Sequence, residues 1–165
     1  MTTLRGTLRV LTCDTAETLA AASVLFNQYR RHYGQPDGDD RTLGWLTDMV
    51  RSNMLTLYTA VPGDSPAHAP PIGLATSHAM PASLVMGQFW QLRDLFVLPG
   101  SRRQGVAAAL VDAVCRAALT AGATRLSLVT EPDNHAALGL YRRLGFKPVE
   151  GLASLSLDLA AQTVR

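Results

Sequence analysis

The sequence has few cysteines, which excludes two classes of protein. Cys13 and Cys115 are the only ones in 165 residues, and they form no CxxC pair and have no ligand-like spacing. A disulfide-stapled secreted domain and a cysteine-based zinc site are therefore excluded. His32, His68 and His78 also lack metal-like spacing, so we expect no metal. Both thiols are expected to be reduced core groups, which favours a reducing, cytoplasmic compartment.

Long apolar runs and a strong net charge are also missing. No uninterrupted apolar stretch reaches the length that spans a membrane. Residues 1–10 carry Arg5 and Arg9 without the apolar core of a signal peptide. The net charge of +2 is too small to indicate a nucleic-acid partner. We therefore expect a cytoplasmic protein without membrane or nucleic-acid partners.

The rest of the composition is that of an ordinary globular chain. Hydrophobic residues make up 47% and charged residues 17%, which fits a single folded globule. A chain of this length buries about two-thirds of the surface that its unfolded form exposes, so it needs no crosslink to fold. No repeat or linker interrupts it. We predict one domain over residues 1–165.

Hydrophobic periodicity predicts the element order β-α-α-β-β-β-α-β-α-β-β. Asp14, with Glu17 three residues later, is expected to cap the first helix. Strands joined by short turns should be antiparallel, and the later crossover helix should join a parallel pair. We expect an α/β fold, a mixed twisted sheet of about seven strands with helices on both faces. The predicted strands are 7–11, 55–61, 72–79, 87–98, 126–130, 146–149 and 152–159, and the later helices are 41–52, 104–121 and 134–144.

The segment from Leu95 to Ala108 joins a buried strand to a helix through a short polar loop. Helix N-termini expose unpaired N–H groups with a partial positive charge, so backbone donors can hold an anion there. Gly105 and Ala107 are small enough for close approach, and Arg102 and Arg103 add positive charge. Neither a Walker A loop nor a GxGxxG fingerprint is present. On this spacing alone, the segment is either an anion site or an ordinary helix start with solvated arginines.

Two motifs together resemble those of the GNAT superfamily of N-acetyltransferases. Arg102-x-x-Gly105-x-Ala107 after a strand is similar to its motif A. Asn134, followed seven residues on by Tyr141 and then by Gly-Phe, is similar to motif B. The element order also matches, and the resemblance covers nearly the whole chain. Within the superfamily, the chain looks closest to the polyamine and histone-type enzymes.

The resemblance implies acetyl-CoA as cosubstrate and no metal. It implies that strand backbone groups bind the pantetheine arm and the oxyanion, and that Asn134 contacts the arm or a water, although a helix N-cap is an equally good role. Tyr141 is implied to protonate the leaving thiolate, since a phenol of pKa about 10 is protonated at neutral pH. Its alternative is a core tyrosine. The implied cofactor-binding residues are Leu95, Phe96, Val97, Arg102, Arg103, Gln104, Gly105, Val106, Ala107, Ala108, Asn134 and Tyr141.

The acceptor end is less defined. An alkylamine is mostly protonated at pH 7, so it must lose a proton before it attacks. Asp94 is the candidate base or amine ligand, but it could equally be a structural carboxylate paired with an arginine. A water chain could also take the proton. Tyr29 and Tyr33 lie on the inward stripe of the first helix, where they either pack in the core or line the acceptor pocket.

Arg93 departs from the polyamine-type pattern, in which that position tends to be a carboxylate or Asn. Strand alternation places Asp94 on the same face as Leu92 and Phe96, opposite Arg93. A cation there would repel a polycationic acceptor, and it leaves room for an acceptor with its own carboxylate, such as an amino acid or peptide.

The expected function is transfer of an acetyl group from acetyl-CoA to a primary amine of a small molecule or peptide, by direct attack in a ternary complex. Two alternatives remain open. One is acetylation of protein N-termini or lysines, and the other is a non-catalytic module that senses acyl-CoA. A homodimer is compatible with the apolar content.

Overall fold

The computed structural model describes residues 7 to 159, and these divide into two compact units. The first unit ends at Val129 and the second begins at Thr130. The predicted domain also includes residues 1–6 and 160–165, which lie outside the described part, and its single-domain character stays a prediction. No helix in the described part is both long enough and apolar enough to cross a membrane.

Within the described residues, the first unit contains five strands and three α-helices. The strands are β1 (Leu8–Thr12), β2 (Thr56–Pro62), β3 (Gly73–Ala82), β4 (Gly87–Val97) and β5 (Leu126–Ser127). The helices are α1 (Ala16–His32), α2 (Asp39–Arg51) and α3 (Val106–Thr120). The sheet order is β1-β2-β3-β4-β5. The first four strands are antiparallel and β4 pairs with β5 in parallel across α3, which confirms the predicted strand directions.

The two faces of this sheet are covered by different helices. One face packs on α1 and α2 through a buried cluster that includes Leu25, Leu46, Leu74 and Phe96. Gly73 precedes Leu74, so its Cα–Cβ direction points to the opposite face. A Cβ added there would lie against the first turn of α3. The helix α3 therefore covers the face opposite α1.

The cap of α1 lies one residue later than predicted. Oγ1 of Thr15 accepts from the backbone N–H of Thr18 at 3.3 Å, and Oγ1 of Thr18 accepts from the backbone N–H of Thr15 at 3.2 Å. The prediction that Asp14 caps with Glu17 is wrong, because these two threonines have the same three-residue spacing and form the reciprocal box. Glu17 lies in the first turn, where its charge complements the helix dipole.

The second unit contains the helix α4 (His135–Arg143). The strands predicted at 146–149 and 152–159 are not formed, and residues 144–159 are almost entirely exposed. An extended segment becomes a strand only where a neighbour pairs with its backbone groups, and no described residue pairs with this one. The expectation of seven strands is therefore wrong, and the described sheet has five.

Candidate functional site

The loop between β4 and α3 leaves a row of backbone amides unpaired. A 3-10 turn at Pro99–Ser101 follows β4, and Gly105 then caps α3 with φ +84°. Arg103 is also left-handed, with φ +60°. Among the described residues, the amides of 103–108 donate to no carbonyl. The side where Gly105 would carry a Cβ is open, with no heavy atom within 4 Å. Such a row of free donors suits an anion.

Two side chains hold this loop in place. Nε of Arg102 donates to the carbonyl of Val97 at 3.1 Å, and Nε2 of Gln104 donates to the carbonyl of Gly100 at 3.0 Å. Arg102 and Arg103 are exposed, and neither forms a salt bridge with a described residue. The loop therefore presents two positive charges beside the free amides, a combination that suits a pyrophosphate.

The end of β4 has an open edge. The strand pairs with β3 over nearly its whole length, but with β5 only at Trp90 and Gln91. Residues in an antiparallel pair alternate in the direction of their N–H and C=O groups. Some N–H and C=O groups of residues 95–97 therefore point away from β3. They point towards the other edge of β4, which no described strand covers at these residues. These groups suit the amides of an extended ligand.

A β-bulge interrupts the β3–β4 ladder at Arg93. The register pairs Ser77 with Leu92 and Thr76 with Asp94, so Arg93 has no partner across the ladder. Neighbouring residues of β3 point to opposite faces, and residues paired across a ladder share a face. Leu92 and Asp94 therefore lie on opposite faces. The expectation that they share one is wrong, because it assumed unbroken alternation.

Asp94 is held by two hydroxyl groups. Oη of Tyr29 donates to its Oδ1 at 2.7 Å, and Oγ1 of Thr76 donates to its Oδ2. One interpretation of Asp94 was a structural carboxylate paired with an arginine. Among the described residues, no arginine forms a salt bridge with it. Each carboxylate oxygen has two lone pairs, so Asp94 can still accept from a further donor.

The environment of Tyr29 shows which charges lie near Asp94. The pKa of Tyr29 is raised above its ordinary value. Burial is the largest cause, and the hydrogen bond to Asp94 and the charge of that carboxylate add to it. The guanidinium of Arg93 has the opposite, smaller effect on the same pKa. Arg93 therefore lies near enough to Tyr29 to favour the ionised form of its hydroxyl slightly.

Aromatic rings cluster around Tyr29, the residue of α1 that binds this carboxylate. Tyr29 lies 5.3 Å from Tyr33 and 5.8 Å from Phe96 between ring centroids, and His32 lies 5.8 Å from Phe96. The two tyrosines differ in position, since Tyr29 is half-buried and Tyr33 is 53% exposed. Tyr29 therefore both packs and binds Asp94, whereas Tyr33 lies at the surface beside it.

A groove that the sequence did not indicate lies between α1 and α2. Its volume is about 660 Å³. The buried Asn27 ties the two helices together beside it, because its Oδ1 accepts from the N–H of Gly38 at 3.2 Å and from Oγ1 of Thr42 at 2.7 Å. No single motif could indicate this groove, since separate segments form it. Its lining is Phe26, Arg30, Pro36, Asp37, Gly38, Arg41, Thr42, Gly44, Trp45 and Asp48.

In the second unit, Asn134 and Tyr141 occupy the positions expected for them on one helix. Oδ1 of Asn134 accepts from the N–H of Ala137 at 3.1 Å, which confirms the N-cap. Tyr141 lies two turns later, and its ring packs edge-on against Phe146 with 5.6 Å between centroids. The backbone N–H of Phe146 also donates to the carbonyl of Tyr141 at 2.9 Å. The role of Tyr141 as a proton donor stays a prediction.

Sequence comparisons find relatives along most of the chain. Residues 21–146 match the sequence model of the Acetyltransferase (GNAT) family. A probable acetyltransferase of Haemophilus influenzae is 34% identical over 88 residues, which are 53% of this chain and 58% of that protein, less than two thirds of its length. The uncharacterized N-acetyltransferase YhfO of Bacillus subtilis is 29% identical over 143 residues, 87% of this chain and 93% of that protein.

Structure comparisons find the same fold. The crystal structure of a probable acetyltransferase has a TM-score of 0.84 and 25% identity, and the match covers 93% of this chain and 99% of that chain. The aminoglycoside N-acetyltransferase AAC(6')-Iy, solved in complex with CoA, has a TM-score of 0.75 and 22% identity, with 92% and 95% covered. At that identity, the second match indicates a shared fold only.

Proposed function

The chain belongs to the Acetyltransferase (GNAT) family, and from this premise we propose that it transfers an acetyl group from acetyl-CoA to a primary amine of a small molecule or peptide. The transfer occurs by direct attack in a ternary complex. The observation that carries the proposal is the row of free amides at 103–108, flanked by two exposed arginines that form no salt bridge with a described residue. A dianionic pyrophosphate is the ligand chemistry that this row fits best.

Acetyl-CoA supplies the acetyl group as a reactive thioester. Its pyrophosphate suits the amides of 103–108 together with Arg102 and Arg103, and the amides of its pantetheine arm suit the open β4 edge at 95–97. The relative that was solved with CoA shares the fold and supports this choice of ligand. The proposed contacts are Leu95, Phe96, Val97, Arg102, Arg103, Gln104, Gly105, Val106, Ala107, Ala108, Asn134 and Tyr141.

The reaction forms a C–N bond, breaks a C–S bond and moves one proton from the amine to the thiolate. We assign Asp94 to bind the acceptor amine and to take its proton, directly or through water. We assign Tyr141 to give a proton to the leaving thiolate, because a phenol is protonated at neutral pH. Motif B supports the second assignment. Tyr29 and Tyr33 line the acceptor side beside Asp94.

The compartment and the assembly are also part of the proposal. Both cysteines are free thiols, which suits a reducing compartment such as the cytoplasm. A monomer and a homodimer are both compatible with the activity, and light scattering distinguishes them.

A second candidate is a non-catalytic acyl-CoA sensor. It is favoured by the fact that both oxygens of Asp94 already accept from hydroxyl groups, which also describes a purely structural carboxylate. Thiol release separates the two functions. Purified protein with acetyl-CoA and a panel of amino acids, diamines, aminoglycosides and lysine-containing peptides should release CoA with at least one acceptor. Tight acetyl-CoA binding without release on any acceptor would establish the sensor.

Substitution of Gly105 tests the proposed binding of acetyl-CoA at the free amides. Gly105→Glu places a carboxylate beside the free amides and should abolish acetyl-CoA binding, measured by calorimetry. Gly105→Ala is the matched control, since it carries the same left-handed backbone cost of about 1–2 kcal/mol without a charge. Equal acetyl-CoA affinity in the two variants would contradict the assignment of the free amides at 103–108 to the pyrophosphate.

A further inference from the structure

Arg93 is an exposed cation that the fold makes no use of. The β-bulge leaves it without a partner across the β3–β4 ladder. Its side chain is exposed and forms no salt bridge with any residue in the range 7–159. A bulge of this kind re-aims a side chain, and bulges are over-represented beside active sites.

The neighbouring carboxylate has the opposite charge, yet the two do not pair. Asp94 follows Arg93 directly, so their Cα atoms are about 3.8 Å apart. No nitrogen of Arg93 lies within 4 Å of an Asp94 oxygen. Tyr29 and Thr76 hold the carboxylate in its present orientation. A carboxylate held by two hydroxyl groups and an arginine without a salt bridge to any described residue therefore lie next to each other in β4.

This pair of charges matches a zwitterion. In an α-amino acid, the ammonium and carboxylate groups are separated by one carbon atom, so they can face adjacent residues of opposite charge. Tyr29 binds Asp94, and its ring contacts that of the 53% exposed Tyr33, so these two rings offer an apolar surface to the side chain of the acceptor. A diamine would instead bring its second cation to Arg93 and be repelled.

We propose that the acceptor is an α-amino acid, whose amine binds Asp94 and whose carboxylate binds Arg93, and that Arg93 determines this specificity. The inference rests on the proposed acetyltransferase function and deepens it. Guanidinium–carboxylate hydrogen bonds to a ligand are strong because both partners are charged. Their loss should therefore be measurable in acceptor kinetics.

The experiment compares three acceptors that differ only in the group beside the amine. These are L-phenylalanine, L-phenylalaninamide and phenethylamine, assayed by CoA release with the wild type, Arg93→Gln and Arg93→Glu. The wild type should prefer L-phenylalanine. In Arg93→Gln, kcat/KM for L-phenylalanine should fall about 10- to 100-fold, the effect of losing a hydrogen bond to a charged group. In the same variant, kcat/KM for phenethylamine should change less than about threefold, and Arg93→Glu should invert the preference.

The ratio of kcat/KM values between two acceptors is compared between the wild type and each variant, and in that comparison the different intrinsic reactivities of the acceptors cancel. Arg51→Gln removes an exposed cation at the end of α2 and should leave that ratio unchanged. An equal ratio in the wild type and Arg93→Gln, with normal turnover of amines, would overturn the specificity inference alone. Absence of CoA release with the whole amine panel would instead overturn the acetyltransferase function. Thermal melting and acetyl-CoA affinity of both variants should match the wild type, which excludes a folding effect.

Discussion

Replacing Gly73 with alanine should destabilise the protein and weaken acetyl-CoA binding together. The new Cβ would lie 2.8 Å from Cγ1 of Val106, 3.1 Å from Cδ1 of Leu110 and 3.2 Å from the carbonyl oxygen of Phe96. Ordinary contacts begin at 3.4 Å, so the side chain of Val106 must leave its rotamer or α3 must move by about half an ångström. Val106 is the first residue of α3, and the movement therefore reaches the free amides at 103–108.

The magnitude follows from the cost of overpacking. An extra methyl group in a packed core costs about 1–3 kcal/mol. For a chain of this size, each kcal/mol lowers the melting temperature by about 2–4 °C. Gly73→Ala should therefore melt about 2 to 12 °C below the wild type. Circular dichroism measures the melting, and calorimetry with acetyl-CoA should show weaker binding.

Gly44→Ala is the matched control for this prediction. Gly44 is exposed inside α2, and a Cβ there meets no heavy atom within 4 Å. Alanine is favoured over glycine in a helix interior by about 0.5–1 kcal/mol, so this variant should melt slightly above the wild type and bind acetyl-CoA normally. If Gly73→Ala melted with the wild type and bound acetyl-CoA equally well, the close packing of α3 on β3 would be refuted.

Three further predictions concern single side chains. Tyr141→Phe should lower kcat about 100-fold, the usual contribution of a general acid, and unchanged turnover would contradict its role, while acetyl-CoA affinity should stay within about threefold. Burial raises the pKa of the Cys13 thiol to about 11. Stability should therefore be full below the unfolded pKa of about 8.5 and fall by about 2 to 3 kcal/mol as the pH rises towards 11, a loss in urea titrations that Cys13→Ala should not show. The hydroxyl of Tyr58 is buried and forms no hydrogen bond of ordinary geometry among the described residues, although the hydroxyls of Ser77 and Thr56 are its polar neighbours. Tyr58→Phe should therefore raise the free energy of unfolding by about 1 kcal/mol, and a destabilised variant would show that one of these hydroxyls binds it.

The strand directions and the loop between β4 and α3 were predictable because their signals are local. Short turns require antiparallel neighbours, and a crossover helix produces the parallel pair. The start of α3 at Gly105 was visible as a strand that ends in a short polar loop before an alanine-rich run. Each of these depends on residues that are close in sequence.

The geometry beside Asp94 was not predictable, because it depends on a pairing between strands. The bulge at Arg93 exists only in the register of β4 against β3, and no composition rule marks its position. The hydroxyls of Tyr29 and Thr76 come from two other elements, 65 and 18 residues away along the chain. Hydrophobic alternation alone therefore assigned Leu92 to the wrong face.

The C-terminal strands were overpredicted for a related reason. The run at 152–159 alternates leucine with polar or small residues and has the composition of a strand. Composition, however, does not supply a pairing partner, and a single extended segment is not a strand. The predicted N-cap of α1 was also wrong, by one residue. Aspartate and threonine are both good N-caps, and only the backbone conformation decides which of them is used.

The sequential strand order has a consequence for how the sheet opens. From β2 to β4, neighbouring strands are joined by short connections, whereas β5 joins through a helical crossover and pairs at two residues only. Local opening takes place where few hydrogen bonds hold the backbone. Amide protons of β5 should therefore exchange with deuterium before those of β3, and the border between β4 and β5 should open before the rest of the sheet.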